Sequence, residues 1–212
     1  MSWWLYPFNY IADDSLFYLV VVRNIVLTGQ QTFSGIYPTN GVHPLWLYCL
    51  ALYGYLCSWI DPTLLWNIRF AIPLSALFAL WGAWNLSRVA ERWNLSRLLV
   101  ADFPLVFVMV FGVLYSEGHV LFAMLAWLIR VSTSDVDTLA RKGLRVGLLG
   151  GLLFLASLDS MFLVAIYGLW YVWQVRRLRS VVLFTFGVAV LAVPYVVSNW
   201  LFLGHQRPSP VG

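Results

Sequence analysis

Apolar residues in this chain gather into long blocks separated by short polar punctuation, and the blocks set its architecture. Five windows stand out: His43 to Ile60, Leu64 to Trp84, Leu98 to Val131, Arg145 to Gln174, and Ser180 to Leu203. A helix needs about 20 mostly apolar residues to cross a bilayer. The first, second and fifth windows each match one such helix. The third and fourth are longer than one crossing requires and are predicted to break, around Ser116 to Gly118 and around Ser157 to Ser160. The pattern therefore predicts an all-α, polytopic membrane helix bundle with about five to seven segments. Composition agrees: 61% of the residues are hydrophobic and 10% charged, against roughly a quarter charged in soluble domains.

Residues 1–42 follow a different pattern. They carry the acidic pair Asp13 and Asp14, a short mixed helix predicted from about Ser15 to Thr28, and the turn-rich stretch TGQQTFSGIYPTNG. With Arg23 inside it, that helix is too short and too polar to span, and it is predicted to lie at the membrane interface ahead of an ordered loop. The expected organisation is an interfacial helix and loop over 1–42 joined to a transmembrane bundle over 43–212, together one integral-membrane domain. The opening MSWWLYPFNYIADD lacks the ordered features of a cleavable signal peptide, so the chain is expected to remain whole. Twelve tryptophans and eleven tyrosines suit the headgroup belts where amphipathic rings settle.

The segment Thr39-Asn40-Gly41-Val42-His43-Pro44 is a helix-start signal, because a capping residue precedes a proline near the first turn. The dipole of that helix favours an anion such as phosphate at the loop. Cys49 and Cys57 sit eight apart on one predicted helix, about 12 Å along its axis, too far for a disulfide.

The formal charge is +4, and nine of the thirteen basic residues sit in three clusters between the windows: Arg88, Arg92, Arg97; Arg141, Lys142, Arg145; and Arg176, Arg177, Arg179. Their placement reads as positive-inside topology rather than nucleic-acid binding. If windows three and four are hairpins, the clusters share one face with each other and, by parity, with Asp13. If either is one long helix, they divide between faces. The pentapeptide WNLSR occurs at Trp84 to Arg88 and Trp93 to Arg97, in a predicted amphipathic connector, and creates Asn-x-Ser sequons at Asn85 and Asn94.

Few residues can carry chemistry. A carboxylate of the pair Asp13 and Asp14 can act as general base toward a hydroxyl, or the pair can hold a divalent metal ion that neutralises a departing phosphate. Acids before an apolar stretch also commonly cap a helix. His43, at the mouth of the first clear membrane helix, can donate to a phosphate oxygen or serve as a packed polar residue. Glu117 and Asp159 are acids at membrane depth, expensive enough to suggest either a site or a structural ion pair, with Arg69 and Arg130 as candidate partners. No phosphate-binding glycine loop, zinc spacing or nucleophile elbow is present, and nothing calls for a nucleotide cofactor.

The run ADDSLFYLVVVRNIVLTGQQTFSGIYPTNGVHPLW, Ala12 to Trp46, resembles the first external loop of GT-C class glycosyltransferases, multi-helix membrane enzymes that use polyprenyl-phosphate sugars. In that class an acidic pair opens the loop, an interfacial helix follows, and a T-N-G-x-H-P-L-W type segment leads into the next membrane helix. YSEGH, LASLDSMFL and LGHQRPSPVG resemble, in order, three later segments of the class. The resemblance implies transfer of a sugar from polyprenyl phosphate to a hydroxyl acceptor with inversion, in the bacterial cytoplasmic membrane, on the side facing away from the cytoplasm. It implies Asp13 or Asp14 as catalytic base, Asn40 and His43 organising the loop near the lipid phosphate, and Glu117 and Asp159 lining the cavity.

The chain departs from the class in three ways. Members usually place a spanning helix before the acidic pair, usually run longer, and carry an Arg in their T-R-x-D segment, which this chain lacks, having Leu158 before Asp159. These departures fit a truncated or minimal member. They fit equally a non-catalytic descendant serving as a structural subunit of a larger membrane complex. A transporter would line several helices with polar residues, and beyond Arg69, Asp102, Glu117, Arg130 and Asp159 the windows offer few.

Overall fold

A computed structural model describes residues 13–36, 38–39, 42–60, 65–106, 116–134 and 139–204; for residues 13–15, 57, 65–70, 72, 116, 139–140 and 202–204 it describes the backbone alone. The described elements are helical, apart from one antiparallel bridge between Thr32 and Pro38. They are α1 (Asp13–Thr28), α2 (Pro44–Ser58), α3 (Leu65–Trp93), a π-helical turn (Leu98–Asp102), α4 (Ser116–Thr133), α5 (Leu139–Ala156), a 3-10 turn (Leu158–Ser160), α6 (Met161–Val175) and α7 (Leu178–Gly204).

The interruptions fall where polar residues can satisfy freed backbone groups. Ser157 is extended and the 3-10 turn follows it. The hydroxyl of Ser160 then donates to the Leu153 carbonyl at 2.7 Å, which also accepts the last helical bond of α5 from the Ser157 N–H at 3.1 Å. The fourth window is thus two helices, α5 and α6, and α4 begins at Ser116, the other predicted break. Between α6 and α7 the chain turns at Arg176, which adopts a left-handed conformation (φ 47°) and donates its N–H to Val172.

One expectation is corrected at the first WNLSR. It is not a connector: α3 runs unbroken for 29 residues through it. Asn85 is fully buried, donates to the Trp81 carbonyl at 2.8 Å and accepts from Arg130 on α4 at 3.1 Å, so it is no glycan acceptor. The Arg130 guanidinium also lies 4.3 Å from the Trp84 ring centroid. A polar side chain with this many partners stabilises helix continuation where composition alone suggests an amphipathic surface. The second copy does end the helix, with exposed Asn94 in a left-handed conformation (φ 50°).

The closest helix pair is α5 with α7. Gly143, Gly147 and Gly151 stand one turn apart on α5 and meet Ser180, Phe184 and Leu191 of α7, so the two helices run parallel. A Cβ at Gly143 would lie 2.6 Å from the Ser180 carbonyl oxygen, and one at Gly187 of α7 would lie 2.7 Å from the Leu148 nitrogen. This small-residue spacing lets backbones touch, the packing device of helices that lack a hydrophobic driving force between them.

The shared core holds Trp46, Leu47 and Leu50 of α2, Val120 of α4, and Val146, Leu149 and Leu153 of α5. Val21 and Val22 of α1 are also fully buried in it, so the N-terminal helix is a wall of the bundle. Two stretches, Leu158–Val175 and Leu178–Leu201, are long and apolar enough to cross a membrane, and each is only 17% buried. Phe162, Leu169, Trp173, Phe186 and Trp200 stand exposed on them.

Candidate functional site

The turn-rich stretch after α1 folds back over that helix. Gly29 takes a left-handed conformation (φ 74°) and donates its N–H to the Ile25 carbonyl at 2.9 Å, ending α1 in the manner glycine permits. Asn24 then donates to the Thr32 carbonyl at 2.7 Å, and the rings of Phe17 and Phe33 stack with centroids 4.6 Å apart. Gln31 and Thr39 close the loop: the Gln31 amide donates to the Thr39 carbonyl at 2.8 Å, while the Thr39 N–H donates to the Gln31 carbonyl at 2.9 Å. The loop is ordered because nearly every hydrogen bond it makes returns to α1 or to itself.

Between this loop, α2 and the last turns of α7 lies a cavity of about 560 Å³, within the range of small-molecule sites. Gln30, Gln31 and Thr39 line it from the loop, Tyr48 from α2, and Tyr195, Ser198 and Asn199 from α7. Among the described residues that line it, none is charged. The amides of Gln30 and Asn199 and the hydroxyls of Tyr48 and Tyr195 make no hydrogen bond among the described residues, whereas Ser198 donates to the Tyr195 carbonyl. Planar amides and aromatic faces without net charge can pair hydroxyl groups and cover the C–H faces of a sugar ring.

This cavity and the basic clusters occupy opposite ends of the bundle. The third cluster opens α7 at Arg179 and the cavity meets α7 at Ser198 and Asn199, about 30 Å along the helix at 1.5 Å per residue. The other clusters lie at the basic end too: Lys142 donates to the Ser134 carbonyl at the end of α4, and Arg130 reaches Asn85 one turn before Arg88.

None of the residues singled out from the sequence is among the described lining of this site. Asp13 and Asp14 open α1. Asp14 is one turn before Tyr18, whose hydroxyl accepts the His43 backbone N–H at 2.9 Å, so the start of α1 and the mouth of α2 are adjacent. The His43 Nδ1 is buried without a hydrogen-bond partner, as are Thr32 Oγ1 and Trp46 Nε1 nearby in sequence. Asn40 lies outside the described residues, as does most of LGHQRPSPVG.

Glu117 occupies the first turn of α4, with one carboxylate oxygen buried and unpartnered. Asp159 is exposed in the 3-10 turn. Arg130 is not the partner of Glu117: both are on α4, thirteen positions and about 20 Å apart, and Arg130 is engaged by Asn85 and Trp84. Arg69 has no described side chain. None of His43, Glu117 and Asp159 lines the cavity, and among the described residues no three His, Cys, Asp or Glu side chains gather to hold a metal ion.

Sequence reasoning passed over the residues that do line it. The adjacent Gln30 and Gln31 in a turn-rich stretch, and Ser198-Asn199 interrupting the last apolar window, were the available signals.

No protein-family model, curated protein or solved structure matches the chain.

Proposed function

We propose that this chain is a multi-pass membrane protein of five to seven segments that binds a lipid-linked sugar at its loop end and acts as a GT-C-like glycosyltransferase. The observation that carries the reading is the uncharged amide- and tyrosine-lined cavity, formed by the very segment whose sequence resembles the first external loop of that class. It lies at the end of α7, an apolar helix exposed along its length, where a substrate anchored by a hydrocarbon tail can enter from the side. The separation of about 30 Å between cavity and basic end equals the hydrocarbon thickness of a bilayer. Basic residues favour the cytoplasmic side, which directs the cavity outward from the bacterial cytoplasm and agrees with an external loop.

In this reading Asp13 or Asp14 accepts the proton of the acceptor hydroxyl as its oxygen bonds to the anomeric carbon. The bond to the lipid phosphate breaks in the same step, and configuration inverts. His43 and Asn40 organise the loop beside the leaving phosphate, and the unpartnered oxygen of Glu117 is available to a sugar hydroxyl. A divalent cation held by the acidic pair would neutralise the phosphate. Asp159, being exposed, is assigned to the rim.

The second reading is a non-catalytic subunit of a larger membrane assembly. It is favoured by the outward faces of α6 and α7, where Trp170, Trp173 and Trp200 stand exposed, a surface suited to partner helices as well as to lipid. An assay of purified protein with radiolabelled polyprenyl-phosphate sugars, comparing wild type with the Asp13→Asn, Asp14→Asn double variant, separates the two. Turnover that vanishes in the variant supports the transferase. Absence of turnover from a chain that purifies only within a larger complex supports the subunit.

A further inference from the structure

A second cavity, of about 400 Å³, opens at the basic end of the bundle and plays no part in the loop site. It lies between the last turn of α4, the first turn of α5 and the final turns of α6, and among the described residues its charged lining is Lys142 and Arg177. We infer that this cavity binds the phosphate-bearing headgroup of an anionic membrane lipid.

Three observations carry the inference. Tyr171 lines the cavity and is 2% exposed, yet its hydroxyl has no hydrogen-bond partner; a buried donor of this kind calls for an acceptor. Its ring is held in place by stacking on Phe184, centroids 5.3 Å apart. Lys142 is likewise fixed, its ammonium donating to the Ser134 carbonyl at 2.9 Å, so one cation is positioned in advance. Arg177 is exposed and its guanidinium makes no hydrogen bond or ion pair among the described residues, leaving a planar fork open to phosphate oxygens.

The source is a lipid rather than free phosphate because the cavity opens onto α6. Trp170, which lines it, is 46% exposed and gives acyl chains an apolar path away from the headgroup. Basic pockets between membrane helices on the cytoplasmic side are suited to such headgroups. The inference rests on the membrane reading but not on sugar transfer.

The test uses the full chain in nanodiscs of phosphatidylcholine with or without phosphatidylglycerol, reading lipid retained in native mass spectra and the thermal midpoint. Wild type should retain phosphatidylglycerol and melt higher in its presence. Arg177→Gln should weaken retention about five-fold, the effect of one cation near a lipid phosphate. Tyr171→Phe, which keeps the stacked ring, should lose most of the lipid-induced stabilisation without lowering the midpoint in phosphatidylcholine alone; a merely structural tyrosine would show the reverse.

Arg88→Gln, at the same end but outside the cavity, should retain lipid as wild type does. Equal loss in Arg88→Gln and Arg177→Gln, or no preference for phosphatidylglycerol, overturns the site. Equal stabilisation of detergent-purified protein by inorganic phosphate overturns the lipid as its source. Failure of the chain to enter nanodiscs at all overturns the membrane reading beneath it.

Discussion

Between α5 and α7 backbone lies on backbone, with Gly143, Gly147, Gly151 and Gly187 leaving no room for a β-carbon. The loop from α1 to α2 is the opposite kind of construction: hydrogen bonds from Asn24, Gln31 and Thr39 hold it around a cavity of about 560 Å³ with unpartnered amides and hydroxyls. In the first region every surface already has its partner, so a change there is felt by the fold. In the second, binding capacity is left open, so a change there should be felt by ligand first. The contrast separates what keeps the bundle together from what the bundle presents.

The sharpest way to break the comparison is at the seam. Gly147→Leu drives a side chain into the Phe184 carbonyl and backbone, and overpacking against backbone is expected to destabilise by about 3 kcal/mol or more. Fluorescence-detected size exclusion after a heating series should show loss of the folded peak at a temperature where wild type survives. A Gly147→Leu protein as stable as wild type would mean the α5–α7 contact is not a structural seam.

Next is the polar link between α3 and α4. Asn85→Ala removes the buried acceptor of Arg130 and should cost about 2 kcal/mol, since a charged donor is left with the Trp84 face alone. A thermal melt in detergent measures it, and an unchanged midpoint would show that the Trp84 contact suffices.

At the loop the expected effect is smaller. Tyr18→Phe deletes the acceptor of the His43 N–H, worth about 1 kcal/mol. It should raise amide-exchange rates in the loop before it lowers the global midpoint, and equal effects on both would place the loop inside the cooperative core. The smallest effect belongs to the surface. Arg88 and Glu91 pair at 3.1 Å with both side chains more than half exposed, so Arg88→Ala should change stability by less than about 0.5 kcal/mol. A larger loss would indicate that the basic end packs against something beyond this chain.

Much of the architecture was legible from hydrophobic blocks. The starts of α2 and α4, the break near Ser157 and the extent of α7 follow from polar or proline punctuation in apolar runs, because a helix ends where its backbone groups can find other partners. The reading of α3 erred for a reason no single window contains: Asn85 looks like a surface residue until Arg130, forty-five positions away, supplies a partner. The cavity was invisible for the same reason, since Gln30, Tyr48 and Asn199 are unremarkable apart from one another and become a site only when α7 returns beside the loop.

What the amino-acid order determined by itself is periodicity and composition: helices, their limits, an apolar exterior and basic residues gathered between blocks. What the tertiary structure decided is adjacency. It set the parallel pairing of α5 with α7, the burial of α1 in the common core, and the placement of the loop cavity and the third basic cluster about 30 Å apart along α7. The physical reason is range. Local backbone preference and hydrophobic spacing act within a few turns, while partners for buried polar groups and close backbone contacts come from distant parts of the chain.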